Sequence, residues 1–398
     1  MEIKSLVQSL IYIVVTLVPA LSFHLSQNSI HSNHFLTTGA GTGTKNRISN
    51  PLQDALPPKY SMKNEQSPEN SVNIGLSTSQ DSILEGGLEW RREGYNFWDY
   101  EGQRIHYTAH GDRSKPPVLL IHGFGASHFH WRYNIPELVK QYRVYAIDLL
   151  GFGLSDKPII EYNAEVWRDQ AAAFVRDIVQ PECGEESKVV VAGNSLGGYT
   201  ALAFASEFPE LVSSCVLLNG AGRFETPEEK EMRLAQEAIK KSFFDQLKEE
   251  FGKIIQRAVI AASFIYTKQP LRIKQVLTQV YPVDATNVDD VLVESIYVPA
   301  LDPNAAEVFY RIINRNGGGP QKSVNELLTT LSVPLLLLWG EKDPWIRPTA
   351  ADKIQELYPS AKRVSVNAGH CPHDEAPVAV NEALLAWCKQ SFAAQTSL

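Results

Sequence analysis

The sequence predicts an α/β architecture: a mostly parallel eight-stranded sheet flanked by helices, with a helical cap inserted late in the chain. Three observations predict it. Short β-rich runs alternate with helical segments from about residue 118 onward. Most of those runs are continuously apolar, the mark of strands buried on both faces. Between Gly222 and about Leu327 the strand rhythm stops and charged, amphipathic segments take over. The alternation implies parallel pairing with helices on both sides of the sheet.

The chain has 398 residues, 44% of them hydrophobic, enough to enclose one large α/β domain with an insert. Its 37 basic and 45 acidic residues leave a net charge of −8 with no basic stripe, which gives a nucleic-acid partner no electrostatic support. Cys183, Cys215, Cys371 and Cys388 lack CxxC spacing and read as free thiols rather than zinc ligands or a disulfide framework.

Residues 1–50 are rich in Ser and Thr, with Glu2 their only acidic residue against Lys4, Lys45 and Arg47, a composition that suits a transit peptide. The apolar run Leu10 to Val18, followed by Ala20-Leu21-Ser22, equally suits the core and cleavage site of a secretory signal. It is short for a membrane span. Residues 51–88 carry Pro, Ser, Asn, Gln and Glu with few large apolar side chains and read as a disordered linker. The α/β core is expected over 89–221 and 328–395, and the cap over 222–327.

Order should begin near Trp90, with strands at Asn96 to Tyr100 and Arg104 to Tyr107 joined by a tight turn at Glu101-Gly102. Four buried strands follow at Val118 to Ile121, Arg143 to Ile147, Val189 to Ala192 and Cys215 to Leu218. Two more come after the insertion, at Pro334 to Trp339 and Arg363 to Val366. Within the insertion, the largely apolar Ile254 to Tyr266 can line an apolar pocket or touch a membrane, though packing against the main domain is the simpler reading.

Gly193-Asn194-Ser195-Leu196-Gly197 lies between the Val189 strand and a helix-like segment. A serine on a sharp strand-to-helix turn has its hydroxyl thrust outward, and flanking glycines avoid collisions with neighbouring backbone. This placement of a G-x-S-x-G turn is that of an α/β-hydrolase fold, with Ser195 as nucleophile. The Leu196 amide, at the helix N-terminus, would face the oxygen of a tetrahedral intermediate. The second oxyanion donor is expected from His122-Gly123-Phe124-Gly125, with the Phe124 N–H as the choice. His122, His128 and His130 raise the question of a metal, but with no acidic or cysteine partner nearby their spacing reads as loop packing or hydrogen bonding to the turn.

Serine needs a base to accept its proton and a carboxylate to orient that base, and the fold fixes the order Ser, Asp, His. Asp343 follows the Leu335 strand and His370 the Arg363 strand, both on the edge where Ser195 sits. Glu341 and His373 are the rival acid and base, and Asp148 reads as a turn stabiliser. The chemistry is ester hydrolysis through an acyl-enzyme, with no metal or organic cofactor required. Epoxide hydrolases and dehalogenases use an aspartate at the nucleophile turn, where this chain has Ser195. A non-enzymatic receptor on the same fold usually lacks a triad member, and none is missing here.

Several blocks go beyond the general fold: His122-Gly123-Phe124-Gly125, Trp167-Arg168-Asp169-Gln170, Gly193 to Tyr199, Asp343 to Pro348, and Ala368-Gly369-His370-Cys371-Pro372-His373-Asp374-Glu375. Together they resemble plant pheophytinases and chlorophyll dephytylases, over roughly Phe97 to Trp387. The short segment between Gly151 and Trp167 resembles the dephytylases more, since pheophytinases carry a longer insertion there. The resemblance implies cleavage of the phytyl ester of chlorophyll or pheophytin, with nucleophile, acid and base at Ser195, Asp343 and His370. It also implies a chloroplast protein with a transit peptide, rather than one of the secretory pathway, and peripheral thylakoid association. An esterase or lipase acting on another hydrophobic ester is the alternative of the same fold.

Overall fold

The computed structural model describes residues 87–238, 256–313 and 322–395. The expected transit peptide and all but the last two residues of the expected linker lie outside the described residues. Leu88 is buried, and its amide donates to the Arg132 carbonyl at 2.9 Å.

The sheet has eight strands: β1 (Asn96–Tyr100), β2 (Gln103–His110), β3 (Pro117–Ile121), β4 (Arg143–Ile147), β5 (Val189–Asn194), β6 (Val212–Leu218), β7 (Leu335–Gly340) and β8 (Lys362–Val366). Their spatial order is β1-β2-β4-β3-β5-β6-β7-β8. The β1–β2 and β2–β4 pairs are antiparallel, and every later pair is parallel. The N-terminal hairpin thus occupies one edge of the sheet, as its tight turn requires, and the crossover strands fill the rest.

Alternation along each strand divides the core in two. Leu119, Ile121, Tyr145, Val191, Leu217 and Leu337 pack on one face; Leu120, Val144, Ala146, Val190, Leu218 and Leu338 pack on the other. The first face is covered by α1 (Ala164–Phe174) and α2 (Leu196–Glu207). Asn163 starts α1 by accepting the Val166 amide on its side chain. Helix α2 is apolar around most of its circumference, and nearly every one of its residues is buried, as expected of a helix at the centre of a fold.

Between β6 and β7 the described residues are helical: α3 (Pro227–Ala238), α4 (256–267), α5 (Pro270–Val280), α6 (Asp290–Tyr297), α7 (Ala305–Ile313) and α8 (Val324–Thr330). The apolar stretch noted above falls mostly on α4, where Ile260 and Phe264 turn inward while Val259 and Ile265 are exposed. Helix α8 starts at a reciprocal capping box between Ser323 and Glu326 and packs on α2. After β7 comes α9 (Thr349–Leu357), and after β8 comes α10 (Pro377–Gln395). No helix among the described residues is long and apolar enough to cross a membrane.

Candidate active site

Ser195 occupies a single-residue turn between the last residue of β5 and the first of α2, with φ +54° and ψ −115°. That backbone is strained for a residue with a side chain. It is held by its own amide, which donates to the Leu218 carbonyl at 3.0 Å, and by its carbonyl, which accepts the Ala221 and Tyr199 amides at 2.9 and 3.1 Å. The motif glycines are sterically required. A Cβ on Gly193 would run into the Gly197 carbonyl, and one on Gly197 into the carbonyls of Ile121 and His122.

The structure brings Asp343 and His370 together. His370 Nδ1 lies 2.7 Å from Asp343 Oδ2, and both side chains are buried. Asp343 is fully engaged: its Oδ1 accepts the amides of Trp345 and Ile346 at 2.7 and 3.0 Å, and its Oδ2 also accepts Asn219 Nδ2 at 2.8 Å. With Nδ1–H pointing at the carboxylate, Nε2 is left as the basic nitrogen. Trp345 packs on the imidazole with ring centroids 4.9 Å apart. The carbonyl of His370 accepts Asn194 Nδ2 at 2.8 Å, so the residue preceding Ser195 grips the histidine loop directly.

Glu341 and His373 have other surroundings. Glu341 turns toward β8 and accepts hydrogen bonds from Arg363 and Ser365. His373 is buried against Trp131, with centroids 4.3 Å apart; neither of its ring nitrogens has a hydrogen-bond partner among the described residues, and burial holds it well below the usual histidine range.

His122 shapes the loop that carries Phe124. Its Nε2 accepts the Leu149 amide at 3.0 Å, so Nδ1 bears the proton and donates to the Gly123 carbonyl at 2.7 Å. Because a trans peptide points its N–H opposite to its C=O, fixing the Gly123 carbonyl also fixes the direction of the Phe124 N–H. A side chain on Gly123 would press on Asn194 and on the Ser195 Cβ, so this loop and the serine turn are in close contact.

Asp148 is more than the turn stabiliser expected. It supplies the acidic partner that the sequence hides from His128. Its Oδ1 accepts the His128 amide and lies 3.0 Å from His128 Nδ1, while its Oδ2 accepts the Leu154 amide and lies 2.9 Å from His106 Nδ1. His106, His128 and Asp148 are close enough to hold a metal ion. The tautomer argues for hydrogen bonding instead: His106 Nε2 accepts the Tyr95 amide at 2.9 Å, so its Nδ1 is the protonated nitrogen. Burial alone would raise the Asp148 carboxyl; His128 and His106 outweigh it and hold the group well below the usual carboxylate range.

Asn194, Asn219 and the Asp148 pair of histidines are contributions that sequence reasoning missed. A turn residue after β6, at the same sheet edge as the acid, was the one available signal for Asn219.

A strained serine turn and an Asp–His pair lie at the carboxyl edge of a parallel sheet, and the chain belongs to the alpha/beta hydrolase fold family, whose model matches residues 116–377. The chain is 34% identical over 328 residues to chloroplastic pheophytinase of Arabidopsis thaliana, a match covering 72% of this chain and 64% of that relative, so the chain spans less than two thirds of the relative's length. Lipase 3 of Moraxella sp. is 28% identical over 69% of this chain and 78% of its own. Epoxide hydrolase 3 of Xenopus tropicalis is 29% identical over 76% and 79%. Among solved structures, a serine hydrolase involved in carbazole degradation superposes with a TM-score of 0.57 at 24% identity, covering 74% of this chain and 98% of that one.

Proposed function

We propose that the protein is a serine-dependent carboxylic ester hydrolase that cleaves the phytyl ester of a chlorophyll-type pigment. The observation that carries the serine mechanism is the 2.7 Å Asp343–His370 hydrogen bond at the sheet edge that bears the strained Ser195 turn. Ser195 Oγ attacks the ester carbonyl as His370 Nε2 takes its proton, and Asp343 holds the imidazole and balances its charge. The amides of Phe124 and Leu196 receive the oxyanion; Leu196 opens α2, where the first amides have no intrahelical acceptor. The alcohol leaves with the proton from His370, and water then releases the acid by the same steps in reverse roles.

The aromatic surroundings support a large apolar substrate. The Phe124 ring contacts Phe152 and Phe309 with centroids 5.4 and 5.6 Å apart, and Phe309, on α7, contacts Phe264 on α4 at 5.0 Å. We read 222–327 as a cap whose aromatic side chains receive a hydrocarbon chain next to the oxyanion loop. Pheophytinase, by its name, acts on pheophytin and is chloroplastic. Pigment as substrate, a transit peptide within 1–50, a chloroplast location and peripheral contact with the thylakoid follow from that likeness. Ser195, in place of a nucleophilic aspartate, speaks against epoxide opening.

Purified mature protein is incubated with chlorophyll a, pheophytin a and a short acyl ester beside a Ser195→Ala control. Serine-dependent release of phytol from either pigment is the expected result. Hydrolysis of the acyl ester alone would overturn the pigment assignment, and no turnover of any substrate would overturn the enzymatic reading in favour of a receptor.

A further inference from the structure

The loop that carries His370 is fastened to the helical insertion as well as to the sheet. The carbonyl of His370 is held by Asn194 of β5, but its amide donates to the Val280 carbonyl, at the last residue of α5, at 3.0 Å. Gly369 lies so close to the same segment that a Cβ there would collide with the Val280 carbonyl and the Pro282 ring. Below this junction lies a buried carboxylate, Glu375. One of its oxygens, Oε2, accepts the Gly369 amide; the other, Oε1, accepts the amides of Val283 and Asp284 at 2.8 and 3.0 Å.

Three backbone N–H groups therefore converge on one side chain, two from the insertion and one from the residue before His370. Donors alone face it in these bonds, and an ionised carboxylate is the side chain that only accepts. A glutamine of the same shape would turn an NH2 group toward at least one amide, setting donor against donor. Arg132 ties the same two pieces one layer away: it bonds Asp374 of the histidine block and Asp289 and Asn287 of the insertion. That second tie means that loss of Glu375 need not detach the insertion altogether.

We propose that Glu375 is a positioning residue that couples the seating of the helical insertion to the placement of His370 opposite Ser195. The proposal rests on the reading of His370 as the general base. Glu375 touches neither substrate nor reacting atoms; it acts through the Gly369–His370 peptide. Movement of the 280–284 segment is transmitted to the imidazole, and substrate entering beneath the insertion sets the base.

The test compares Glu375→Gln with the parent enzyme on a short acyl ester, with Ser195 titrated by a fluorophosphonate so that rates refer to active molecules. Expected is a fall in kcat of about tenfold or more with KM within about threefold and an undiminished titre. Glu375→Asp, which keeps the carboxylate, should recover part of that loss. A kcat for Glu375→Gln within about twofold of the parent would overturn the proposal, because a purely structural role lowers the titre and the melting point, not the rate per titrated serine. Hydrogen exchange on the parent, free and phosphonylated, keeps the idea testable should the glutamine variant not fold: the amides of 283, 284 and 369 should change protection together, and independent change would overturn the coupling. A parent that hydrolyses the ester but that the phosphonate fails to label would overturn the serine mechanism itself, whereas a labelled parent whose kcat survives Glu375→Gln would overturn only the coupling.

Discussion

Asn219 Nδ2 donates to Asp343 Oδ2 at 2.8 Å, while Asn219 Oδ1 accepts the Gly340 amide at 2.8 Å, so one amide side chain fixes both the acid and the end of the strand that delivers it. Asn219 follows β6 with φ +46°, a left-handed conformation that asparagine tolerates better than most residues. Asn219→Ala removes these bonds and leaves the carboxylate held by the Trp345 and Ile346 amides and His370 alone. The expected outcome is a loss of about 1–3 kcal/mol of stability and a fall in kcat of about tenfold or more at unchanged KM. Steady-state kinetics beside a denaturant melt would check both, and a kcat equal to that of the parent would refute the positioning role.

The strained turn at Ser195 makes a separate prediction. Ser195→Ala and Ser195→Gly should both lose turnover, but only glycine relieves the backbone at φ +54° and ψ −115°. The glycine variant should be more stable than the alanine variant by about 1 kcal/mol, the strain released being partly offset by the greater entropy of its unfolded chain. Matched urea melts measure this, and coincident midpoints would mean that the turn stores no strain.

Buried histidines should make the fold sensitive to acid. Burial lowers His122, His128 and His373, and burial with help from Arg132 pushes His130 down to about 3. Unfolded, each would bind a proton near pH 6.5; folded, they resist it. Their contribution is fully present above about pH 6.5 and is lost as pH falls below it, for His130 down to about 3. Asp374, which burial pushes up to about 6 against the pull of Arg132, works in the opposite sense: its contribution is present below pH 3.8 and is lost as pH rises through about 6. His373→Phe removes one of the four protons without breaking any hydrogen bond seen among the described residues and keeps a ring against Trp131. Stability should then fall less steeply between pH 6 and 4, by about 1.4 kcal/mol per pH unit. Melting curves at pH 4, 5, 6 and 7 would show it, and parallel slopes for parent and variant would exclude the assignment.

Substrate size should be read by Phe309, which stands between Phe124 of the oxyanion loop and Phe264 of α4. Removing an aromatic contact with a hydrocarbon chain forfeits about 1.5–3 kcal/mol of apolar burial. Phe309→Ala is therefore expected to lower kcat/KM for a phytyl ester by about tenfold or more and to leave an acetate ester nearly unaffected. Equal losses on both esters would instead make Phe309 a structural contact.

The parallel strands were legible because burial on both faces leaves unbroken apolar runs such as Leu335 to Trp339. Ser195, Asp343 and His370 were legible as candidates because each follows such a run, the serine between glycines that the turn cannot do without. Their supports were not. Asn219 lies 124 residues from Asp343, Asn194 lies 176 from His370, and Asp148 lies 42 from His106; sheet order, not local pattern, makes them neighbours. Glu375 is close to His370 in sequence, yet its role depends on Val283 and Asp284, which no periodicity places beside it.

β8 is a terminal strand of the sheet, paired with β7 on one side, and the loop bearing His370 springs from its end. An open strand edge invites addition of a strand from another molecule, and here such self-association would bear on the loop that carries His370. Adjacent cationic residues guard that edge: Lys362 lies over the Trp387 ring and bonds Gln390, while Arg363 is shared between Asp352 and Glu341. Neutralising those two charges would leave that edge, and the loop of His370 beyond it, more open to such pairing.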